Sequence, residues 1–269
     1  MAGVKFSKWE GAGNDFILID EMRKEAVPAK SKARFAIQAC ARHSGIGADG
    51  VLFISKSRRA AARMRVFNPD GSEPEMCGNG VRCAALYLKQ KRIACGSSFK
   101  IETPAGLVEV QAKNGLVRVK MPTPKIISLE ELLGVEGQIF KYSFIDMGNP
   151  HAVIFALDVS KVPLSELGPK ISAHPRFPNR ANVHFAQVLS RSRVKAIHWE
   201  RGAGATLACG TGACAVAAAS HFLGKTDSSV DVLVPGGVLK IELEEKNKKP
   251  TACFMTGPAR KVFDGVLNV

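Results

Sequence analysis

The chain has 269 residues, of which 46% are hydrophobic and 23% are charged. This composition is that of a globular protein with a packed core, and it excludes the disordered and collagen-like classes. The length exceeds that of most single domains and favours two domains of roughly 130 residues each.

The N-terminal residues and the cysteine content indicate the cellular setting. Residues Met1–Lys5 lack the apolar stretch of a secretory signal, and no later stretch is long and apolar enough to span a bilayer. Seven cysteines, an odd number, fit a reducing compartment better than a disulfide framework. We therefore predict a cytoplasmic protein without a membrane partner.

The formal net charge of +14 would attract polyanions, so nucleic-acid binding has to be considered. The densest basic segments, 56–65 and 246–249, contain no aromatic residue, whereas single-stranded nucleic acids are normally held by aromatic stacking. We interpret both segments as solvated surfaces and predict no nucleic-acid partner.

In chain order, the first half begins with a Gly13-Asn14 turn and reaches the pair Phe67-Asn68, nine residues before Cys77 (77 − 68). The loop Cys77-Gly78-Asn79-Gly80 then leads into the stretch Val81–Ile93, which predicts a helix that ends near Gly96.

Strands are predicted after this helix. The stretch Lys100–Glu109 is rich in β-favouring residues, and Asn114-Gly115 then forms a hairpin signal before Leu116–Met121. The segment Met121-Pro122-Thr123-Pro124 should break regular structure, so we interpret it as the linker between two domains.

The second half repeats the first. A Gly148-Asn149 turn, a Trp199-Glu200 pair and a loop Cys209-Gly210-Thr211-Gly212 follow in the same order, and the cysteines are 132 residues apart (209 − 77). The stretch Ala213–Leu223 has no polar face, so we predict a buried helix with sheet on most sides. Residues 231–243 then form another hairpin-like unit.

These patterns predict an α+β fold of two homologous domains related by a pseudo-twofold axis. Each domain would be a mostly antiparallel sheet or barrel wrapped around a central helix. The predicted domains are residues 1–122 and 123–259.

The two cysteine loops carry the candidate chemistry. Unpaired N–H groups and the helix dipole favour an anion at a helix N-terminus, so we expect both thiols to ionise easily. The same N–H groups could stabilise the enolate-like charge that forms when a substrate Cα loses its proton. If the two halves face each other, Cys77 and Cys209 could remove and deliver a proton on opposite faces of one carbon, without a metal or a cofactor.

Structural explanations for the cysteines are also considered. A zinc site built from Cys77, Cys83, Cys209 and Cys214 would have unfavourable ligand spacing. We interpret the other five cysteines as small buried hydrophobic residues. They are Cys40, Cys83, Cys95, Cys214 and Cys253.

Together these motifs resemble the diaminopimelate epimerase family along the whole chain. The residues that carry the resemblance are Gly11–Phe16, Gly45–Gly50, Phe67–Ser72, Met76–Cys83, Met147–His151, Glu200–Gly204, Ala208–Cys214 and Met255–Ala259. The resemblance implies interconversion of LL- and meso-diaminopimelate, in lysine and peptidoglycan biosynthesis, by a two-base mechanism that is independent of pyridoxal phosphate. It also implies that a final strand, 260–269, returns to the first domain.

The resemblance further implies the site residues. Cys77 and Cys209 match the catalytic pair, and the matched substrate-binding positions are Asn14, Asn68, Gly78, Asn79, Asn149, Asn182, Glu200, Arg201, Gly210 and Thr211. Chemistry assigns the distal carboxylate to the fork of Arg201 and the distal ammonium to Glu200. His151 either orients groups in the cleft or is a structural residue. The partner is a small molecule, and a homodimer is a further expectation.

Three positions depart from the family pattern. Ala205 replaces a usual Glu, Leu243 replaces a common Trp, and Trp9 is unusual in the first motif. The loss of a negative charge at Ala205 predicts weaker discrimination against other acidic amino acids such as glutamate.

Two alternatives stay open. A related two-cysteine racemase would act on proline or hydroxyproline, although Asn79 and the Glu200-Arg201 pair favour a substrate with two amino-acid ends. A binding protein with the same fold but no activity is the other alternative, and the presence of both cysteines disfavours it.

Overall fold

A computed structural model describes residues 3–268, so the predicted domain ends at residues 1, 2 and 269 lie outside the described residues. The helices are α1 (Lys32–Cys40), α2 (Gly78–Gln90), α3 (Leu164–Ser172) and α4 (Gly210–Phe222), with short 3-10 turns at Ala29–Ser31 and Val159–Lys161. The strands are β1 (Val4–Gly11), β2 (Asn14–Glu21), β3 (Gly50–Ser55), β4 (Ala62–Phe67), β5 (Ser98–Thr103), β6 (Gly106–Lys113), β7 (Leu116–Met121), β8 (Lys125–Val135), β9 (Gln138–Asp146), β10 (Pro150–Phe155), β11 (Asn182–Ser190), β12 (Arg193–Glu200), β13 (Gly204–Thr206), β14 (Ser229–Val234), β15 (Gly237–Lys246), β16 (Lys249–Pro258) and β17 (Arg260–Leu267).

The chain forms two compact units. The first contains the residues up to Val119 together with those from Gly257 onward, and the second is Lys120–Thr256. Among the described residues, no helix combines the length and the apolar character that a membrane crossing requires.

The first unit has the strand order β17-β1-β2-β3-β4-β5-β6-β7. Only the pairs β2–β3 and β4–β5 are parallel, because α1 and α2 provide the crossover connections that parallel pairing needs. The last strand, β17, lies antiparallel to β1, with Val4 opposite Leu267.

The second unit has the corresponding order β8-β9-β10-β11-β12-β14-β15-β16, with the short β13 paired to β12. Its two parallel pairs, β10–β11 and β12–β14, enclose α3 and α4 in the same manner. The two units therefore share one topology, and the predicted α+β fold of two homologous, mostly antiparallel domains is confirmed.

A central helix fills each unit. Helix α2 packs against β1, β2, β3, β4, β6 and β17, and α4 packs against β9, β10, β11, β12, β14 and β15. The side chains of Ala213–Ser220 in α4 are buried, as the absence of a polar face predicted.

Some local predictions need correction. Both central helices begin three residues before the predicted starts, since the glycines after each cysteine already belong to the first turn. The stretch Lys100–Glu109 is not one strand, because Pro104 lies in the turn between β5 and β6. Cys95 is exposed, so the interpretation of this residue as a buried hydrophobic side chain is wrong.

Other turns agree with the sequence. Asn114 and Gly115 adopt positive φ angles of 52° and 77° in the hairpin between β6 and β7. Residues 122–124 separate β7 from β8, where the proline-rich segment was expected to interrupt regular structure.

Candidate active site

Cys77 is the N-cap residue of α2 and has an extended backbone conformation. Its half-buried Sγ accepts a hydrogen bond of 3.4 Å from the backbone N–H of Gly80. A Cβ on Gly80 would lie 2.9 Å from Leu52 Cδ2, so a larger residue would require Leu52 or the first turn to shift. The sequence Cys-Gly-x-Gly thus places a thiol at the N-terminus of a buried helix, where the backbone N–H groups stabilise a negative charge.

Cys209 occupies the equivalent N-cap position of α4, and it is 3% exposed. Burial raises the pKa of its thiol well above the ordinary value, and the nearby Glu200 carboxylate raises this pKa further. The Thr211 hydroxyl, 3.7 Å from Sγ, and the Gly212 amide act in the opposite direction but do not outweigh burial. The expectation that both helix starts make the thiol easier to ionise is therefore wrong for Cys209.

Asparagine side chains order the loop that carries Cys77. Asn79 donates to Asn14 Oδ1 over 3.1 Å, and Asn14 donates to Asp49 Oδ2 over 2.6 Å. The guanidinium of Arg82 donates to Asn79 Oδ1 over 2.9 Å and to the Pro258 carbonyl over 3.1 Å. The side-chain amides of Asn14 and Asn79 are therefore each held in one orientation by contacts with residues that are distant in sequence.

Asn68 is placed differently from the other candidates of the first unit. It lies in a tight turn after β4, where its amide donates to Ser72 Oγ over 3.0 Å. The backbone of this turn is closed by hydrogen bonds between Asn68 and Ser72 and between Gly71 and Asn68. Asn68 therefore stands outside the hydrogen-bonded group of Asn14 and Asn79.

In the second unit, Asn182 joins two segments that carry candidate residues. Its Nδ2 donates to the Pro150 carbonyl over 3.1 Å, and its Oδ1 accepts from the Arg201 backbone N–H over 3.1 Å. Since β10 and β11 are parallel neighbours, His151 lies opposite Asn182. The turn containing Asn149 and the end of β12 are thereby held beside each other.

Glu200 and Arg201 follow each other at the end of β12 but make different contacts. Glu200 Oε1 accepts a hydrogen bond of 2.7 Å from Thr206 Oγ1. Arg201 is exposed, and its Nη1 donates to the Asn179 carbonyl over 3.1 Å. Glu200 is also close enough to Cys209 to influence the thiol electrostatically.

Three fully buried histidines form a series of close contacts that leads from Asn149 into the core. His151 Nε2 lies 2.8 Å from Asn149 Oδ1, and His151 Nδ1 lies 2.8 Å from His184 Nε2. His184 Nδ1 lies 2.8 Å from His198 Nδ1. We call His151, His184 and His198 the histidine row.

The histidine row is uncharged at neutral pH. Burial lowers the pKa of His151 to about 3 and that of His198 to about 4, and it lowers the pKa of His184 well below its usual range. Electrostatic interaction with His198 and with the guanidinium of Arg201 lowers the pKa of His151 further. Within residues 3–268, no group of three or more histidine, cysteine or acidic side chains has the arrangement to hold a metal ion.

Sequence reasoning missed several of these residues. Asp49 and Arg82 lie inside recognised motifs, but their roles depend on contacts with Asn14 and Asn79. His184 and His198 face each other across the antiparallel pair β11–β12. The only available signal was that each histidine lies among apolar strand residues.

Comparison with known proteins adds the family context. The model of the family described as "Diaminopimelate epimerase" matches residues 6–127 and 143–262. Diaminopimelate epimerase 1 of Nostoc sp. is 43% identical, with 98% of this chain and 99% of the relative covered. Diaminopimelate epimerase of Carboxydothermus hydrogenoformans is 42% identical, with 97% and 98% covered.

Solved structures show the same fold at low sequence identity. A phenazine biosynthesis protein of the PhzF family from Bacillus anthracis superposes with a TM-score of 0.79 at 18% identity, with 100% of both chains covered. A probable proline racemase from Agrobacterium radiobacter superposes with a TM-score of 0.76 at 16% identity, covering 99% of this chain and 93% of that one. These structures support the architecture alone.

Proposed function

The chain belongs to the diaminopimelate epimerase family, and we propose that it is an isomerase that interconverts LL- and meso-diaminopimelate without a pyridoxal cofactor. The observation that carries this proposal is the matched pair of cysteines, each the N-cap of the central helix in its own unit. Sequence identity of 42–43% over nearly the full length of curated relatives supports the substrate.

We propose that Cys77 and Cys209 act on opposite faces of the substrate Cα, one as base and the other as acid. The raised pKa of Cys209 supports its resting state as a thiol, ready to donate a proton. Cys77, whose sulfur accepts the Gly80 N–H, is then the base in the direction that this resting state favours. After one turnover the protonation states are exchanged, and the reverse reaction uses the same groups in exchanged roles.

The backbone N–H groups at the start of α2 and α4 have a second role in this proposal. Gly78, Asn79, Gly210 and Thr211 occupy the first turns, at the positive end of each helix dipole. They would hold the α-carboxylate and stabilise the enolate-like charge that develops as Cα loses its proton. Charge stabilisation and proton transfer would thereby come from the same pair of loops.

The end of the substrate that does not react needs recognition without deprotonation. We propose that Arg201 takes the distal carboxylate and Glu200 the distal ammonium, with Asn14, Asn68, Asn149 and Asn182 as further polar contacts. An ammonium bound at Glu200 would neutralise the charge that raises the pKa of Cys209. Binding of the correct substrate would then facilitate ionisation of this thiol.

We propose further that the protein works as a homodimer in the cytoplasm. The odd number of cysteines, seven, supports a reducing compartment over a disulfide framework. Exposed apolar side chains on β17, at Val262, Phe263 and Val266, support association of two copies. Light scattering at micromolar concentration would give twice the monomer mass, whereas a single-chain mass would contradict the dimer.

The experiment is exchange of the Cα proton of LL-diaminopimelate in heavy water, without added cofactor, before and after treatment with a chelator. We expect deuterium at Cα and formation of the meso isomer in both samples. Proline serves as the comparison substrate, and faster exchange on proline would favour the related racemases instead.

The variants Cys77→Ser and Cys209→Ser should each abolish turnover, while Cys95→Ser serves as the control because this exposed cysteine is the N-cap of neither central helix. Retained turnover in both serine variants would contradict the two-base mechanism. Absence of turnover in the unaltered protein, on every substrate tested, would favour a binding protein.

A further inference from the structure

The histidine row connects Asn149, a proposed substrate contact, to the interior of the second unit. Its members His151, His184 and His198 have no exposed surface. The contacts between consecutive members, and between His151 and Asn149, are all 2.8 Å long. Among residues 3–268, no hydrogen-bond partner faces His198 Nε2, so the row ends there.

The number of protons on the three rings determines the direction in which the hydrogen bonds run along the row. A neutral imidazole has one N–H and one lone pair, and each N···N contact needs one proton. The tautomer of one ring therefore determines the tautomers of the others. Two arrangements are possible, and they run in opposite directions along the row.

In the first arrangement, His198 Nδ1–H donates to His184, His184 Nε2–H donates to His151, and His151 Nε2–H donates to Asn149 Oδ1. A lone pair is then left at His198 Nε2. The reverse arrangement would bury an N–H without an acceptor, which proteins avoid more strictly than an unused lone pair. The first arrangement also agrees with the Asn149 oxygen, rather than its nitrogen, facing His151.

We propose that His184 and His198 are positioning residues for the epimerisation, because the row fixes Asn149 so that its NH₂ group donates to a substrate carboxylate. An amide whose oxygen is held on one side presents its two N–H donors on the other. Asn149 is half-buried, so this second side is accessible to a ligand. The inference rests on the proposed function, since it assigns Asn149 a carboxylate of that substrate.

The row also supports the loop that carries Cys209. The glycine in the first turn of α4, Gly212, lies against the His184 ring, where a Cβ would come within 2.4 Å of His184 Cε1. One ring thus touches both the helix start and, through His151, the binding amide. This shared contact places Asn149 and Cys209 on one rigid support.

The first test is a measurement of tautomers in the ligand-free protein. Long-range ¹H–¹⁵N spectra of protein labelled at histidine distinguish a proton on Nδ1 from one on Nε2. We expect the Nε2–H tautomer for His151 and His184 and the Nδ1–H tautomer for His198. An Nε2–H tautomer at His198, or a charged ring in the row at pH 7, would overturn the proposal.

The second test uses a matched pair of variants at His198, the member of the row farthest from Asn149, which contacts the row only through His184. His198→Phe keeps a ring but removes the donor, and His198→Asn keeps a side-chain N–H near the place of Nδ1. We expect His198→Phe to lose the single tautomers of His151 and His184 and to raise KM for diaminopimelate about fivefold, with a smaller change in kcat. His198→Asn should bring KM back to within about twofold of the original value.

The outcomes separate this inference from the proposed function. If the unaltered protein has the expected tautomers but does not exchange diaminopimelate, the proposed function fails while the direction of the row holds. If it exchanges diaminopimelate and His198→Phe changes neither KM nor the tautomers, the positioning role is wrong. If His198→Phe does not fold, the tautomers of the unaltered protein and the KM of His198→Asn still test the proposal. A row without the expected tautomers would overturn it.

Discussion

Gly212 and His184 are in direct contact: a Cβ added at Gly212 would lie 2.4 Å from His184 Cε1, far inside a normal contact distance. The substitution Gly212→Ala should therefore destabilise the second unit by about 1–3 kcal/mol and reduce turnover, because the His184 ring or the first turn of α4 must shift. Urea unfolding and the exchange assay measure the two effects.

The control for this prediction is Gly134→Ala in β8, where no atom lies within 4 Å of the added Cβ. We expect a change of at most about 0.5 kcal/mol there. Since the imidazole is the obstacle, Gly212→Ala should cost at least about 1 kcal/mol less in a His184→Ala background. Equal costs in both backgrounds would show that the ring is not the constraint.

The buried histidine row predicts acid lability. Folded-state pKa values of about 3 for His151 and about 4 for His198 lie below the unfolded value near 6.5, so the unfolded chain binds more protons. Stability is full above pH 6.5 and should fall between pH 6.5 and 4 by roughly 1.4 kcal/mol per pH unit for each histidine.

Urea unfolding at a series of pH values checks this prediction. His198→Phe removes one of the three titrating rings. The free energy of unfolding of this variant should therefore change less steeply with pH, by the equivalent of about one proton. Carboxylates contribute to both proteins alike and cancel in the comparison. Identical slopes would mean that His198 gains no proton on unfolding.

Neutralising Glu200 should make the Cys209 thiol easier to ionise and yet decrease turnover. Glu200→Gln removes the negative charge that raises the pKa of Cys209 but keeps an oxygen to accept the Thr206 hydroxyl. The pKa of Cys209 should fall, and a fall of one unit would raise the thiolate fraction about tenfold at a fixed pH below the pKa. Turnover of diaminopimelate should nevertheless decrease, because the proposed ammonium contact is lost.

Iodoacetamide labelling across pH, read at the Cys209 peptide by mass spectrometry, measures this ionisation. The matched control is Glu136→Gln, whose carboxylate pairs with Lys170 on the surface. An unchanged labelling profile in Glu200→Gln would show that Glu200 does not control the thiol.

The alanine at position 205, where the family usually has a glutamate, leads us to predict a relaxed substrate range. This residue is exposed in β13, directly before Thr206, whose hydroxyl donates to Glu200. Restoring the usual charge with Ala205→Glu should decrease deuterium exchange on L-glutamate more than exchange on LL-diaminopimelate. Ala203→Glu adds the same charge to the neighbouring exposed turn and serves as the control. If the unaltered protein puts no deuterium on L-glutamate, the idea fails.

The repeat and both helix starts could be predicted because they depend on local signals. The Cys-Gly-x-Gly loops, the Asn114-Gly115 turn and the apolar stretch of α4 each determine their own conformation. The role of Asp49 could not be predicted, since it depends on pairing with Asn14, 35 residues away in sequence.

The ionisation of Cys209 shows the same limit. Its position at a helix start is visible in the sequence and favours the thiolate. Burial to 3% exposure and the proximity of Glu200 arise only when β12 and α4 pack together, and these two effects dominate. The histidine row is similar, because His184 and His198 meet through strand register.

The pairing of β17 with β1 has a consequence for synthesis on the ribosome. Because Val4 lies opposite Leu267, the first unit stays one strand short until after all of the second unit has been translated. The contiguous second unit can form its core first, while β1 keeps a row of unpaired amides. A nascent chain in this interval is the species most exposed to chaperones and to wrong strand pairing.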